Sequence, residues 1–146
     1  MPQLTGYETD INIRRGGTKG ENIARWSFNV QPGVYQVSAT WSPHCGRAAN
    51  APFAIKDGMG DLDTILVYQR QAPDNLTVDG ENWKILGMFN ITGSMLIVEL
   101  TDDASGSLVA DAIRIAPEQP PLPTVQIIDD NNNGGPDFSL TGPDWS

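Results

Sequence analysis

Cysteine and histidine are each represented once in the 146 residues, by Cys45 and His44. A lone cysteine excludes an internal disulfide, so the fold must rest on packing. A lone histidine restricts any Ser-His-Asp arrangement to His44. A Cys/His nucleophile pair is disfavoured because adjacent side chains point to opposite sides of an extended chain. Basic residues are also scarce, 9 against 18 acidic ones, for a formal charge of −9. That balance repels nucleic acid and anionic lipid, and excludes both as expected partners. No run approaches the roughly 18 consecutive apolar residues that a membrane-spanning helix needs, and Met1-Pro2-Gln3 does not open a signal peptide. Gly16-Gly17-Thr18-Lys19-Gly20 lacks the spacing of a phosphate-binding loop. Nothing shows sustained helical periodicity between a start and a stop signal.

What is present is turn chemistry between short alternating runs. Ala24 to Val30 alternates apolar and polar residues, as a half-buried strand does. Tyr35, Val37, Ala39 and Trp41 alternate in the same way, and Gln31-Pro32-Gly33 between the runs predicts a hairpin. Further strands are expected over Phe53–Lys56, Ile65–Arg70, Trp83–Phe89, Met95–Leu100 and Leu108–Ile115. Asp57-Gly58, Asp79-Gly80, Thr92-Gly93 and Ser105-Gly106 separate them. Seven or so short strands in one domain imply an all-β jelly-roll β-sandwich.

Beyond Ile115 the texture changes. Ala116 to Pro123 holds four prolines in eight positions, which should run extended as a stiff spacer. The expected organisation is a sandwich over 1–115, a Pro-rich linker over 116–124 and a strand-bearing C-terminal segment over 125–146. Within that segment Val125-Gln126-Ile127-Ile128 and Phe138-Ser139-Leu140 read as strands.

Gly33-Val34-Tyr35-Gln36-Val37, Trp41, Arg47-Ala48, Ala51 to Ile55, Trp83 to Gly87 and Val109 to Arg114 together resemble the golvesin C-terminal-like domain. The resemblance spans about Trp26 to Ile115. It implies a jelly-roll module like those that bind carbohydrate, of the kind found beside polysaccharide lyases and in repeat-bearing bacterial surface proteins. It supplies no catalytic residues, so no enzyme activity is expected, and it implies an extracellular or cell-surface location. The family's opening strand, Asp-Asp turn, Phe-Ser and Thr-Gly segments have counterparts here at the opposite end: Ile127 to Asp130, Phe138-Ser139 and Thr141-Gly142, before Trp145.

A sandwich lacking its opening strands exposes edge amides and an apolar groove that a complementary strand can fill. The tail can return to its own body as a circular permutation. It can instead enter the next copy, making a head-to-tail contact that propagates as a filament. Eight extended residues rise about 25 Å, enough for either route, and proline stiffness favours the second. Val125, Ile127, Ile128, Phe138, Leu140 and Trp145 are the expected assembly residues, and the partner is another copy of the chain. A third reading makes the tail the start of a following tandem unit.

One tail pattern suggests a metal. Asp129, Asn131 and Asn133 at alternate positions before Gly134 match the front half of a calcium loop, with Asp137 at its ninth position. Leu140 stands where the twelfth-position carboxylate belongs, so Asp130 or oxygens from elsewhere must complete the shell. An Asn-rich turn satisfied by its own hydrogen bonds is the alternative. Asp57 to Asp63 reads as a solvated acidic loop. Asp111 falls in phase with apolar neighbours, where a lone carboxylate is costly, and is expected to accept hydrogen bonds or to pair structurally with Arg47.

Exposed aromatic rings would mark a glycan site. Trp26, Trp41 and Trp83 are in phase with strand cores and are expected to pack inside, leaving Tyr7, Tyr68 and Trp145 as platforms. The two expected functions are thus a self-assembling fibre subunit, with calcium at its joint, and a non-catalytic carbohydrate-binding module.

Overall fold

A computed structural model describes residues 12–15, 23–41, 43, 45–58, 60–74, 76–78, 80–101, 107–118, 126–128 and 138–141. The described residues contain strands and no helix. They form two five-stranded sheets, with a short additional pair of β1 (Asn12–Arg15) and β9 (Ser107–Ala110).

In the first sheet, β2 (Ile23–Asn29), β4 (Ala51–Asp57), β5 (Gly60–Val67), β8 (Met95–Thr101) and β12 (Phe138–Thr141) lie in the order β12-β2-β8-β4-β5. The second contains β3 (Gly33–Ala39), β6 (Leu76–Val78), β7 (Glu81–Ile91), β10 (Ile113–Pro117) and β11 (Gln126–Ile128), in the order β11-β10-β3-β7-β6. Every pairing is antiparallel.

Alternation along the strands builds the core. Ala24, Trp26 and Phe28 of β2, Phe53 and Ile55 of β4, and Leu96, Val98 and Leu100 of β8 are buried from one sheet. Tyr35, Val37, Ala39, Ile113 and Ile115 are buried from the other. The Trp26 and Phe53 rings stack with centroids 6.3 Å apart, which adds a modest directional term to their area burial. Trp26, Trp41 and Trp83 are all buried, as expected from their phase. The all-β sandwich inferred from the sequence is the observed fold.

Several local expectations are corrected. β2 and β3 do not pair with each other: β2 lies between β12 and β8, and β3 between β10 and β7. Gln31-Pro32-Gly33 therefore carries the chain from one sheet to the other. The Tyr35 hydroxyl donates to the Gln31 carbonyl at 2.6 Å and holds that corner. Hairpins instead join β4 to β5 and β6 to β7, where Gly58 and Gly80 adopt φ of 60° and 82°, a region glycine enters without steric cost.

The run Asp57 to Asp63 is this β4–β5 hairpin, with Asp61 and Asp63 on the strand itself. Leu108–Ile115 is two strands, broken at Asp111-Ala112. Strand β10 continues through Ala116 and Pro117, into the stretch expected as linker, and the Glu118 N–H donates to the Val34 carbonyl.

Candidate functional site

The C-terminal segment supplies an edge strand to each sheet. Strand β11 pairs with β10, setting Ile127 opposite Arg114 and Ile128 opposite Ile113. Strand β12 pairs with β2, setting Phe138 opposite Trp26 and Leu140 opposite Ala24. Ile128 is buried at 7% exposure and joins the core, whereas Ile127 is 37% exposed on the outer face. The Gln126 amide donates to the Asn29 carbonyl at 3.0 Å, tying β11 to the end of β2 in the opposite sheet. One segment thus closes the same side of both layers. Val125 and Trp145 lie outside the described residues, as do Asp129, Asp130, Asn131, Asn133 and Asp137. Among the described residues no group of three or more His, Cys, Asp or Glu side chains is placed to hold a metal ion.

Arg47 and Asp111 are both buried, at 4% and 2% exposure. Hydrogen bonds bring their chain segments into one neighbourhood. The Gln69 side chain donates to the Val109 carbonyl and accepts from the Val109 N–H, both at 3.0 Å. The Gln69 N–H donates to the Ala48 carbonyl, and Arg70 Nε donates to the Arg47 carbonyl. The Asp111 carbonyl accepts from Trp26 Nε1 at 3.1 Å. Desolvation pushes the Arg47 pKa down. Neither Arg47 nor Asp111 is without a partner.

An ion cluster that sequence reasoning missed sits on the outer face of the first sheet. Glu99, only 5% exposed, accepts from Arg25 Nε at 2.6 Å and from Lys56 Nζ at 2.8 Å. Asp61 adds a longer contact to Lys56 at 3.5 Å. Burial alone would raise the Glu99 pKa, but hydrogen bonds and charge from Lys56 and Arg25 outweigh it and hold the carboxyl below its ordinary value. The Lys56 ammonium is held above its own ordinary value, first by its hydrogen bond to Glu99. The period-two pattern places Glu99 outward, but only the order β2-β8-β4 shows that a cation flanks it on each side.

Asp57 ends β4 and caps the β7–β8 connection. It accepts from the Thr92 hydroxyl at 2.7 Å, the Thr92 N–H at 2.9 Å and the Gly93 N–H at 3.1 Å. The Thr92 hydroxyl contributes most to holding its carboxyl below the usual range.

Of the expected aromatic platforms, Tyr68 is described and is 48% exposed. It stands at the rim of a cleft of about 360 Å³ beside the free edge of the first sheet. Trp41, Val67 and Pro73 are buried and form the cleft floor; Tyr68 and Asp74 are exposed at its rim, and Lys84 reaches it from β7. Tyr7 lies outside the described residues, as does His44, while Cys45 is exposed.

These features define a protein class before any comparison: an antiparallel, jelly-roll-type sandwich whose C-terminal segment closes both of its sheets. The Golvesin C-terminal domain model matches residues 3–117, and the chain belongs to that family. The matched stretch ends with β10, so both tail strands lie beyond it. A solved xanthan lyase from Paenibacillus is similar at 21% identity and a TM-score of 0.49. That likeness covers 75% of this chain and 13% of the lyase. No curated protein matches the sequence.

Proposed function

We propose that the chain is a non-catalytic structural module of an extracellular or cell-surface protein, and that copies are joined by exchange of the C-terminal segment. The observation that carries this reading is the position of β11 and β12, which form edge strands of both sheets on one side. In this proposal those strands take the place of the family's opening strands. Edge strands contribute backbone hydrogen bonds and core side chains that a neighbouring copy can supply equally well. The connection from Pro117 to Gln126 contains Pro120, Pro121 and Pro123, and its bias to extended backbone works against a tight return. Exchange in one direction around successive copies gives a head-to-tail fibre.

Calcium belongs to this proposal as a stabiliser of the joint. Asp129, Asp130, Asn131, Asn133 and Asp137 offer hard oxygen donors, and a divalent cation offsets repulsion between chains carrying −9 each.

Electron microscopy of the purified chain, with calcium and then with chelator, tests the reading. Filaments are expected with calcium, and shortened or dissociated ones with chelator. Deleting residues 125–146 should give soluble, destabilised monomers that bind the tail as a free peptide. Monomers of unchanged stability that ignore the peptide would overturn tail exchange. Filaments indifferent to chelator would remove calcium alone.

A second reading, a carbohydrate-binding module, is favoured by the cleft at Tyr68. It does not compete with the first, because the cleft adjoins β5 and the tail strands occupy the opposite sheet edges.

A further inference from the structure

The geometry points to the Tyr68 cleft as the binding site for a short segment of neutral glycan, and this inference rests on the second reading above. Three successive residues after β5 fix the cleft's rim. Gln69 is fully buried and clamped to Val109 through both its amide atoms. Arg70 Nε donates to the Arg47 carbonyl at 2.8 Å, and the Gln71 carbonyl accepts from Trp41 Nε1 at 2.7 Å. A loop pinned at consecutive positions loses little further freedom when a ligand arrives, which favours binding.

The groups presented suit a sugar. The volume of about 360 Å³ falls in the range of small-ligand sites and accommodates one or two pyranose rings. A pyranose has a face of C–H groups and a rim of hydroxyls, so it needs an aromatic or apolar surface with donors and acceptors close by. Tyr68 provides an exposed ring, with the Arg70 guanidinium 6.0 Å from its centroid. The Asp74 carboxylate accepts, and the Lys84 ammonium donates. Of the described Trp and Tyr rings, Tyr68 is the exposed one; Trp26, Tyr35, Trp41 and Trp83 are buried. A chain of net charge −9 disfavours polyanionic glycans at long range, and the cleft lining itself carries one acid, Asp74, against one base, Lys84. Neutral hexose or pentose chains are therefore the assigned class.

The test titrates the full chain with cellotetraose, β-1,4-mannotetraose, xylotetraose and tetragalacturonate, read by calorimetry and by backbone amide shifts. Saturable binding of at least one neutral probe is expected, with Kd on the order of 0.1–1 mM, as suits a shallow site. Amide shifts should centre on residues 66–74 and Lys84. Tyr68→Ala should weaken binding about tenfold or more, while Tyr68→Phe, which keeps the ring, should stay within about threefold; both variants should melt near the parent. If a neutral probe binds but Tyr68→Ala leaves its affinity unchanged, the cleft assignment fails and the carbohydrate-binding reading stands. If no probe binds saturably, both fail. Preferential binding of tetragalacturonate overturns the neutral class.

Discussion

Glu99 shows how one residue's environment sets its role. Its carboxylate is buried between two cations, so removing the charge leaves Arg25 and Lys56 facing each other across β8. Glu99→Gln should cost about 1.5–3 kcal/mol, the range for hydrogen bonds to charged groups, which urea unfolding at pH 7 would measure. The pH dependence follows from the direction of the shift. A carboxyl with a depressed folded-state pKa contributes stability above its unfolded value, near 4.5 for glutamate. That contribution is lost as pH falls through the lower folded value. The parent should lose stability more steeply below about pH 4.5 than Glu99→Gln does. Asp57, held low by Thr92 and Gly93, acts in the same direction. Lys56 acts at the other end, its contribution fading as pH rises through a value above 10.5. Arg47 and Asp111 are the second residue-scale test. If they pair, the double-mutant cycle of Arg47→Leu and Asp111→Asn should show coupling of about 1 kcal/mol or more. Additive costs would mean that each residue is held by other partners.

At the scale of elements, alternation was enough to locate most strands and, in β2 and β4, to decide which side faces inward, whereas β5 is exposed over most of its length. Ala24 to Val30 and Tyr35 to Trp41 read correctly, and the phases of Trp26 and Trp41 placed both inside. Partnership between strands was not legible, because alternation is satisfied equally by a hairpin and by two strands facing each other across a core. Gln31-Pro32-Gly33 suits either connection. Asp111 broke a continuous apolar run into two strands, and no local signal distinguishes a break there from a polar residue within one strand. The candidate cleft was still less visible: Tyr68 could be chosen by its phase, but Lys84 and Trp41 reach the same cavity only through the sheet order. The short strand β11 offers a direct test of alternation. Ile128→Ala should cost about 2–4 kcal/mol because it empties a core position. Ile127→Ala, one residue away on the outer face, should fall within about 0.5 kcal/mol. Equal effects on the melting temperature would mean that β11 is not docked in this register.

For the whole molecule, the choice between a self-closed module and a linked fibre lies in the connection between β10 and β11 rather than in either strand's contacts. The closed and exchanged forms make the same pairs, Ile113 with Ile128 and Phe138 with Trp26, so those pairs nearly cancel in the free-energy difference between them. What remains is the conformational preference of the connection set against the translational entropy lost on joining copies. Proline shifts that balance by favouring extended backbone, so the connection resists the turn that the closed form requires. Replacing Pro120, Pro121 and Pro123 with Gly or Ser removes this bias while leaving both strands intact. The substituted chain should therefore remain folded, with an unchanged circular dichroism spectrum, but shift toward monomer. Light scattering after size exclusion across a hundredfold concentration range would measure the shift. An assembly state unaffected by the substitutions would mean that the prolines do not set the balance between the closed and exchanged forms.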